Sequence, residues 1–138
     1  MKVGRWILLA LVLAGAGFFA WRHYGKRPSS RAVAPEVVVP AGVRIKVEVL
    51  NATDIKGLAR RATMFLRDRG FDVVAIGTSK EQRATTLVLD RSNHPQWAAL
   101  AAKAMSAATE ARPDSTRYLD VTVLVGADWR PPALPFYP

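Results

Sequence analysis

Apolar and polar positions alternate strictly from Val43 to Leu50. Val43, Ile45, Val47 and Val49 fall on one side, and Arg44, Lys46 and Glu48 on the other. A two-residue period is the signature of a half-buried strand. Asn51-Ala52-Thr53-Asp54 then supplies turn and N-cap side chains, whose oxygens accept from the free amides of a helix start. From Ile55 to about Arg69 the period changes. At about 100° per residue, Ile55, Leu58, Ala59, Ala62, Phe65 and Leu66 share one face of an amphipathic helix. Gly70 is placed to end that helix in the left-handed conformation. Phe71–Ile76 reads as a second strand, Gly77–Arg83 as a polar turn and Ala84–Leu89 as a third strand. Pro95 suits the first turn of a second helix, running to about Ala108 with Trp97, Leu100, Ala101, Ala104 and Met105 inward. After a loop containing Pro113, alternation returns from Tyr118 to Val125 as a fourth strand.

The order β-α-β-β-α-β predicts an α+β, ferredoxin-like fold: a four-stranded antiparallel sheet with two helices on one face. Right-handed crossovers leave few other topologies open. The first forty residues follow neither period. Trp6–Trp21, WILLALVLAGAGFFAW, carries no charge, and with Arg5 and Arg22–Tyr24 as flanks it reaches the short end of the ~17–25 residues a membrane-spanning helix needs. Trp6, Trp21 and Tyr24 suit the headgroup region. A cleaved signal peptide is the competing reading, with Ala14-Gly15-Ala16 as its processing site, but the apolar run continues through Phe18, Phe19, Ala20 and Trp21 and favours an uncleaved anchor. The expected organisation is a transmembrane anchor over 1–24, a Pro/Ser-rich spacer over 25–42, a domain over 43–129 and a tail over 130–138 with four prolines in nine residues. Orientation stays open at this level. Two Lys/Arg precede the apolar run and four follow it soon after, which favours a cytoplasmic C-terminus, whereas a very short basic N-terminus before such a run is the pattern of an export signal-anchor.

Charge changes the picture only through its placement. The 138 residues carry a net +9 and no cysteine, so disulfides and thiolate chemistry are excluded. Residues 1–42 hold six basic groups against Glu36 alone, while residues 43–129 hold thirteen basic and ten acidic groups. More than half of the excess therefore flanks the apolar segment, where it meets lipid headgroups, and membrane proximity accounts for the basic balance more directly than nucleic acid does. The sheet face free of helices offers Arg44, Lys46 and Glu48 with Asp120 and Thr122. RNA-binding sheets of this plan stack bases on aromatics, and this face has charged and small residues instead, so no nucleic-acid partner is expected.

Candidate chemistry is sparse. His23 is juxtamembrane, and His94 precedes Pro95 at a helix start, a capping or loop position. A metal site from Asp90 and His94 lacks a third ligand. The chain thus reads as non-enzymatic, with no cofactor. Lys56, Arg60, Thr63 and Arg67 fall within about 60° of one another on the first helix, opposite its apolar face. Such a stripe is ordinarily a solvated surface; read for function, it is an acid-free basic face for anionic wall polymers or lipid phosphates. Trp129, after Gly126-Ala127-Asp128, either closes over the core edge or serves as a sugar platform. Lys56, Arg60, Arg67 and Trp129 are the ligand-binding candidates.

Several spaced motifs carry a family resemblance. Val47-Glu48-Val49-Leu50-Asn51-Ala52-Thr53, Gly57-Leu58-Ala59, Gly70-Phe71-Asp72-Val73, Asp120-Val121-Thr122-Val123 and Gly126-Ala127-Asp128-Trp129 resemble, in that order, the LytR C-terminal domain family. One departure is clear: where members usually read Leu-Asn-Gly-(Ser/Thr)-Gly, this chain has Ala52 and Asp54. The resemblance implies a bacterial envelope protein with its domain outside the cytoplasmic membrane, in a stand-alone, membrane-anchored form without the phosphotransferase domain that often precedes this one. It does not imply catalysis. The partners expected are membrane lipid through the anchor and an anionic envelope polymer, peptidoglycan or an envelope protein through the domain. Three other readings stand beside it. They are a glycan-binding module like the SPOR domains, an accessory to a separate envelope phosphotransferase, and, if the charge count sets topology, a cytoplasm-facing nucleic-acid binder.

Overall fold

The structure is a computed structural model and describes residues 36–132. The expected anchor over 1–24, residues 25–35 of the spacer and residues 133–138 of the tail lie outside the described residues. No helix among the described residues is long and apolar enough to cross a membrane.

Seven elements follow in chain order: β1 (Lys46–Asn51), α1 (Leu58–Asp68), β2 (Asp72–Thr78), β3 (Leu87–Asp90), α2 (Pro95–Met105), β4 (Ala108–Ala111) and β5 (Val121–Val125). They form a five-stranded mixed sheet of order β2-β1-β5-β3-β4. The pairs β1–β2, β1–β5 and β3–β4 are parallel, and only β3–β5 is antiparallel. The four-stranded antiparallel, ferredoxin-like sheet expected from the element order is therefore corrected. That plan needs the third strand to insert between the first two. Here β1 and β2 pair directly, and β3 lies on the far side of β5.

The physical cause lies in residues 79–86, which read as part of a hairpin but instead cross the C-terminal ends of β1 and β5. Ser79 N–H donates to the Asn51 carbonyl at 2.9 Å and Arg83 N–H to that of Ala52 at 2.7 Å. The amides of Ala127 and Asp128 in turn donate to the carbonyls of Arg83 and Ala84. The Asp128 carboxylate accepts both the amide and the hydroxyl of Thr86 at 2.8 Å. Gly126 lies directly against this crossing, where a Cβ would stand 2.3 Å from the Thr85 carbonyl carbon, so only glycine fits.

The second correction concerns β4. The sequence pattern extends the second helix to about Ala108, yet α2 stops at Met105, where Ser106 adopts φ 53 and ψ 45. Ala108–Ala111 then forms an edge strand with all four residues exposed. Such a strand has no apolar face to leave a period in the sequence.

The two βαβ units, β1-α1-β2 and β3-α2-β4, run in opposite directions because β3 is antiparallel to β5. Right-handed crossovers in both then place both helices on one face, as expected. Val47 and Val49 of β1, Val121, Val123 and Val125 of β5 and Val88 of β3 are fully buried there. They meet Leu58, Ala59, Ala62 and Leu66 of α1 and Ala98, Ala101, Ala102 and Met105 of α2. Ile55, expected on the inner face of the first helix, precedes α1 and is 40% exposed. Gly70 ends α1 as the sequence predicts, with φ 87, and the amides of Gly70 and Phe71 return to the carbonyls of Arg67 and Leu66. Against this turn lies Val39, buried in the same core, its amide donating to the Arg69 carbonyl at 2.8 Å.

Candidate functional site

The helix-free face divides into an apolar end and a polar end. Register places Leu50, Leu124 and Leu87 side by side in one row, and Glu48, Thr122 and Leu89 in the next. Leu87, Leu89 and Leu124 are buried, so this face is more apolar than the charged and small residues expected on it. Toward the N-terminal end of β1 the character changes. The loop from Arg112 to Asp120, which joins edge strand β4 to central strand β5, is held there by backbone hydrogen bonds. Arg112 N–H donates to the Asp90 carbonyl and Asp114 N–H to that of Arg91; Arg91 N–H donates to the Asp120 carbonyl and Asp120 N–H to that of Lys46. All four lie between 2.9 and 3.0 Å.

Side chains reinforce this arrangement. Arg117 donates to the Glu48 carboxylate at 2.9 Å, and Glu48, only 12% exposed, also accepts the Thr122 hydroxyl at 3.2 Å. The Arg91 Nε donates to that hydroxyl at 3.1 Å and its Nη1 to the Arg112 carbonyl at 3.2 Å. A half-buried carboxylate is tolerable because a cation and a hydroxyl donor both face it. Asp120 accepts the Lys46 amide at 2.8 Å. Asp114 accepts the hydroxyl and amide of Thr116, which hold its carboxyl below the ordinary 3.8, with Arg91 and Arg117 adding attraction against slight desolvation.

These segments enclose an open groove of about 530 Å³, lined among others by Lys46, Arg91, Asn93, Asp114, Tyr118 and Asp120. Tyr118 is 84% exposed and holds φ 51. The sequence singled out Lys46, Glu48, Asp120 and Thr122 on this face. It did not mark Arg91, Asn93, Asp114, Arg117 or Tyr118, and Tyr118 read as the first residue of the last strand. The available signal was the polar run Pro113-Asp114-Ser115-Thr116-Arg117-Tyr118, a loop ending in an aromatic.

The other candidates fall elsewhere. Lys56 is exposed in the turn before α1, and Arg60 and Arg67 are exposed on the helix. The Arg67 guanidinium donates to the Val73 carbonyl at 2.9 Å, so it is tied over β2. Thr63, expected on the same stripe, is 2% exposed and faces the core, its hydroxyl without a partner among the described residues. It is buried on α1 together with Leu58, Ala59, Ala62 and Leu66. Trp129 is 6% exposed and meets Phe65 edge-on with ring centroids 5.7 Å apart. It does not join the basic residues or the groove. His94 stacks on Trp97 at 4.0 Å, and its Nδ1 lies 3.0 Å from the Ser92 hydroxyl. Asp90 accepts the amides of Ser92 and His94 ahead of α2. Among the described residues no three His, Cys, Asp or Glu side chains converge as a metal site.

The model of the family described as LytR cell envelope-related transcriptional attenuator matches residues 44–129, which take in every element from β1 to β5. The chain belongs to the LytR C-terminal domain family. No curated protein matches it. Two solved structures are similar to this LytR C-terminal domain. One is the soluble domain of a conserved hypothetical secreted protein (Rv2700 ortholog) from Mycobacterium marinum. It is 22% identical with a TM-score of 0.45, over 62% of this chain and 61% of that one. This chain thus spans about three-fifths of that domain's length. The other is the C-terminal domain of RV0431 in solution, 24% identical with a TM-score of 0.39, over 71% of this chain and 84% of that one.

Proposed function

We propose that this LytR C-terminal domain protein is a non-enzymatic module of the cell envelope. Residues 1–24 tether it to the cytoplasmic membrane, and the domain on the outer side binds a wall component or an envelope protein. The observation that carries this reading is the family match over residues 44–129, set behind the uncharged run Trp6–Trp21. Two surfaces offer contacts for such a partner. Lys56, Arg60 and Arg67 present exposed cations beside one helix, the chemistry for an anionic envelope polymer. The groove beside Lys46 and Arg91 offers donors and acceptors together, the chemistry for peptidoglycan.

The test is a reporter active only outside the cytoplasm, fused after Pro138 of the full chain, with fractionation alongside. The expected result is an active reporter and an uncleaved chain in the membrane fraction. An inactive reporter, with activity only for its cytoplasmic counterpart, overturns the reading in favour of a cytoplasm-facing role.

A further inference from the structure

We infer that the groove between the end of β3 and the loop before β5 is a binding subsite for an uncharged saccharide chain, with Tyr118 as its stacking platform; this deepens the envelope-binding reading and rests on it. Among the described residues, three other than glycine adopt positive φ: Asn93, Ser106 and Tyr118. Ser106 ends α2, which accounts for it. The other two both line this one groove. Asparagine tolerates the left-handed region, but a bulky ring there is a true outlier that costs about 1–3 kcal/mol. Burial commonly offsets such a cost, yet Tyr118 is 84% exposed. The fold holds a large ring in a strained conformation and gets no packing from it.

The rest of the groove is built to hold still. Its three segments are joined by main-chain hydrogen bonds from Asp114 to Arg91, Arg91 to Asp120 and Asp120 to Lys46. The Arg91 guanidinium is fixed by Thr122 and the Arg112 carbonyl through Nε and Nη1, so its orientation is set before a ligand arrives. Preorganisation of this kind lowers the entropy cost of binding. Two cations, Lys46 and Arg91, stand with two carboxylates, Asp114 and Asp120, so the groove offers donors and acceptors with no net charge. That combination suits hydroxyls, which donate and accept at once, beside a flat ring that takes the C–H face of a sugar. A polyanion gains little from it, because the two carboxylates in the lining offset the two cations.

The test uses the full chain in detergent and two pellets: purified sacculi, and sacculi stripped of attached anionic polymers. The expected result is co-sedimentation with both, little affected by salt. Tyr118→Gly should weaken it about tenfold, near the 1.4 kcal/mol equivalent of one such contact. Tyr118→Phe should retain it. Glycine is at ease at φ 51, so Tyr118→Gly should not lower the thermal midpoint; a fallen midpoint would overturn the claim that the ring is held under strain for binding. Equal binding by Tyr118→Gly and the parent overturns the groove and leaves the envelope-binding reading standing. Binding only to unstripped sacculi, lost in salt, overturns the saccharide in favour of an anionic polymer. Binding to neither pellet removes wall binding along with the groove.

Discussion

The two βαβ units share a connection and differ in what holds them. In β1-α1-β2, the helix sends Leu58 and Leu66 into the core beside Ala59 and Ala62, and Phe65 adds a ring that meets Trp129 and lies under the Arg69 guanidinium at 3.5 Å. In β3-α2-β4, the helix buries Ala98, Ala101, Ala102 and Met105, and its closing strand is exposed at every position. The first unit rests on the area of large side chains removed from water. The second buries mainly alanines, with Met105 inside and Trp97 and Leu100 half-buried against the same core. An interior packed to crystal-like density makes both arrangements sensitive, but in opposite directions.

The sharpest way to break this comparison is to empty the first unit. Leu66 is fully buried, and Leu66→Ala should cost about 2–5 kcal/mol, as other buried leucines do. Urea unfolding of the full chain in detergent, followed by tryptophan fluorescence, measures it; a midpoint equal to the parent's would mean that α1 is not seated by its large side chains.

Filling the second unit is the converse. Ala101 is fully buried on the inner face of α2, and Ala101→Leu should destabilise by about 1–3 kcal/mol through overpacking. A neutral or stabilising result in the same experiment would show a loose second helix and erase the contrast.

The smallest effect should come from the exposed edge. Thr109 lies in the middle of β4 with its side chain in solvent, so Thr109→Ala should stay within about 0.5 kcal/mol. A larger loss would mean that β4 is packed against something, and that the second unit is held more like the first.

Legibility followed the same division. The strand ending in Leu50, the helix ending at Gly70 and the strand from Phe71 were readable because large apolar side chains on one face leave a period of 2 or 3.6 in the sequence. β4 was not, since an all-exposed edge strand leaves none. The candidate site was legible only where it lay on a patterned strand. Lys46, Glu48, Asp120 and Thr122 stood out as the polar side of β1 and β5, whereas Arg91, Asn93, Asp114 and Tyr118 sit in loops whose residues carry no periodicity. Thr63 shows the limit of helical geometry by itself. It lies about 40° from Ala59 and about 60° from Arg60 around the helix, at the border of the two faces, and it is buried with Ala59 and Ala62.

By itself, then, the sequence determined the conformation at the centre of most patterned segments, a property of residues near one another in the chain, and the family, a property of motifs in order along it. Sheet order was decided only in three dimensions. Val47, Val49, Val123 and Val88 present equivalent apolar edges, and nothing local says whether β3 inserts beside β1 or passes beyond β5. That choice is made by the crossing over Gly126 and by Asp128, 42 residues from the Thr86 it holds. The groove has the same origin, since residues near 46, 91 and 112–120 become neighbours only when β5 takes its place between β1 and β3.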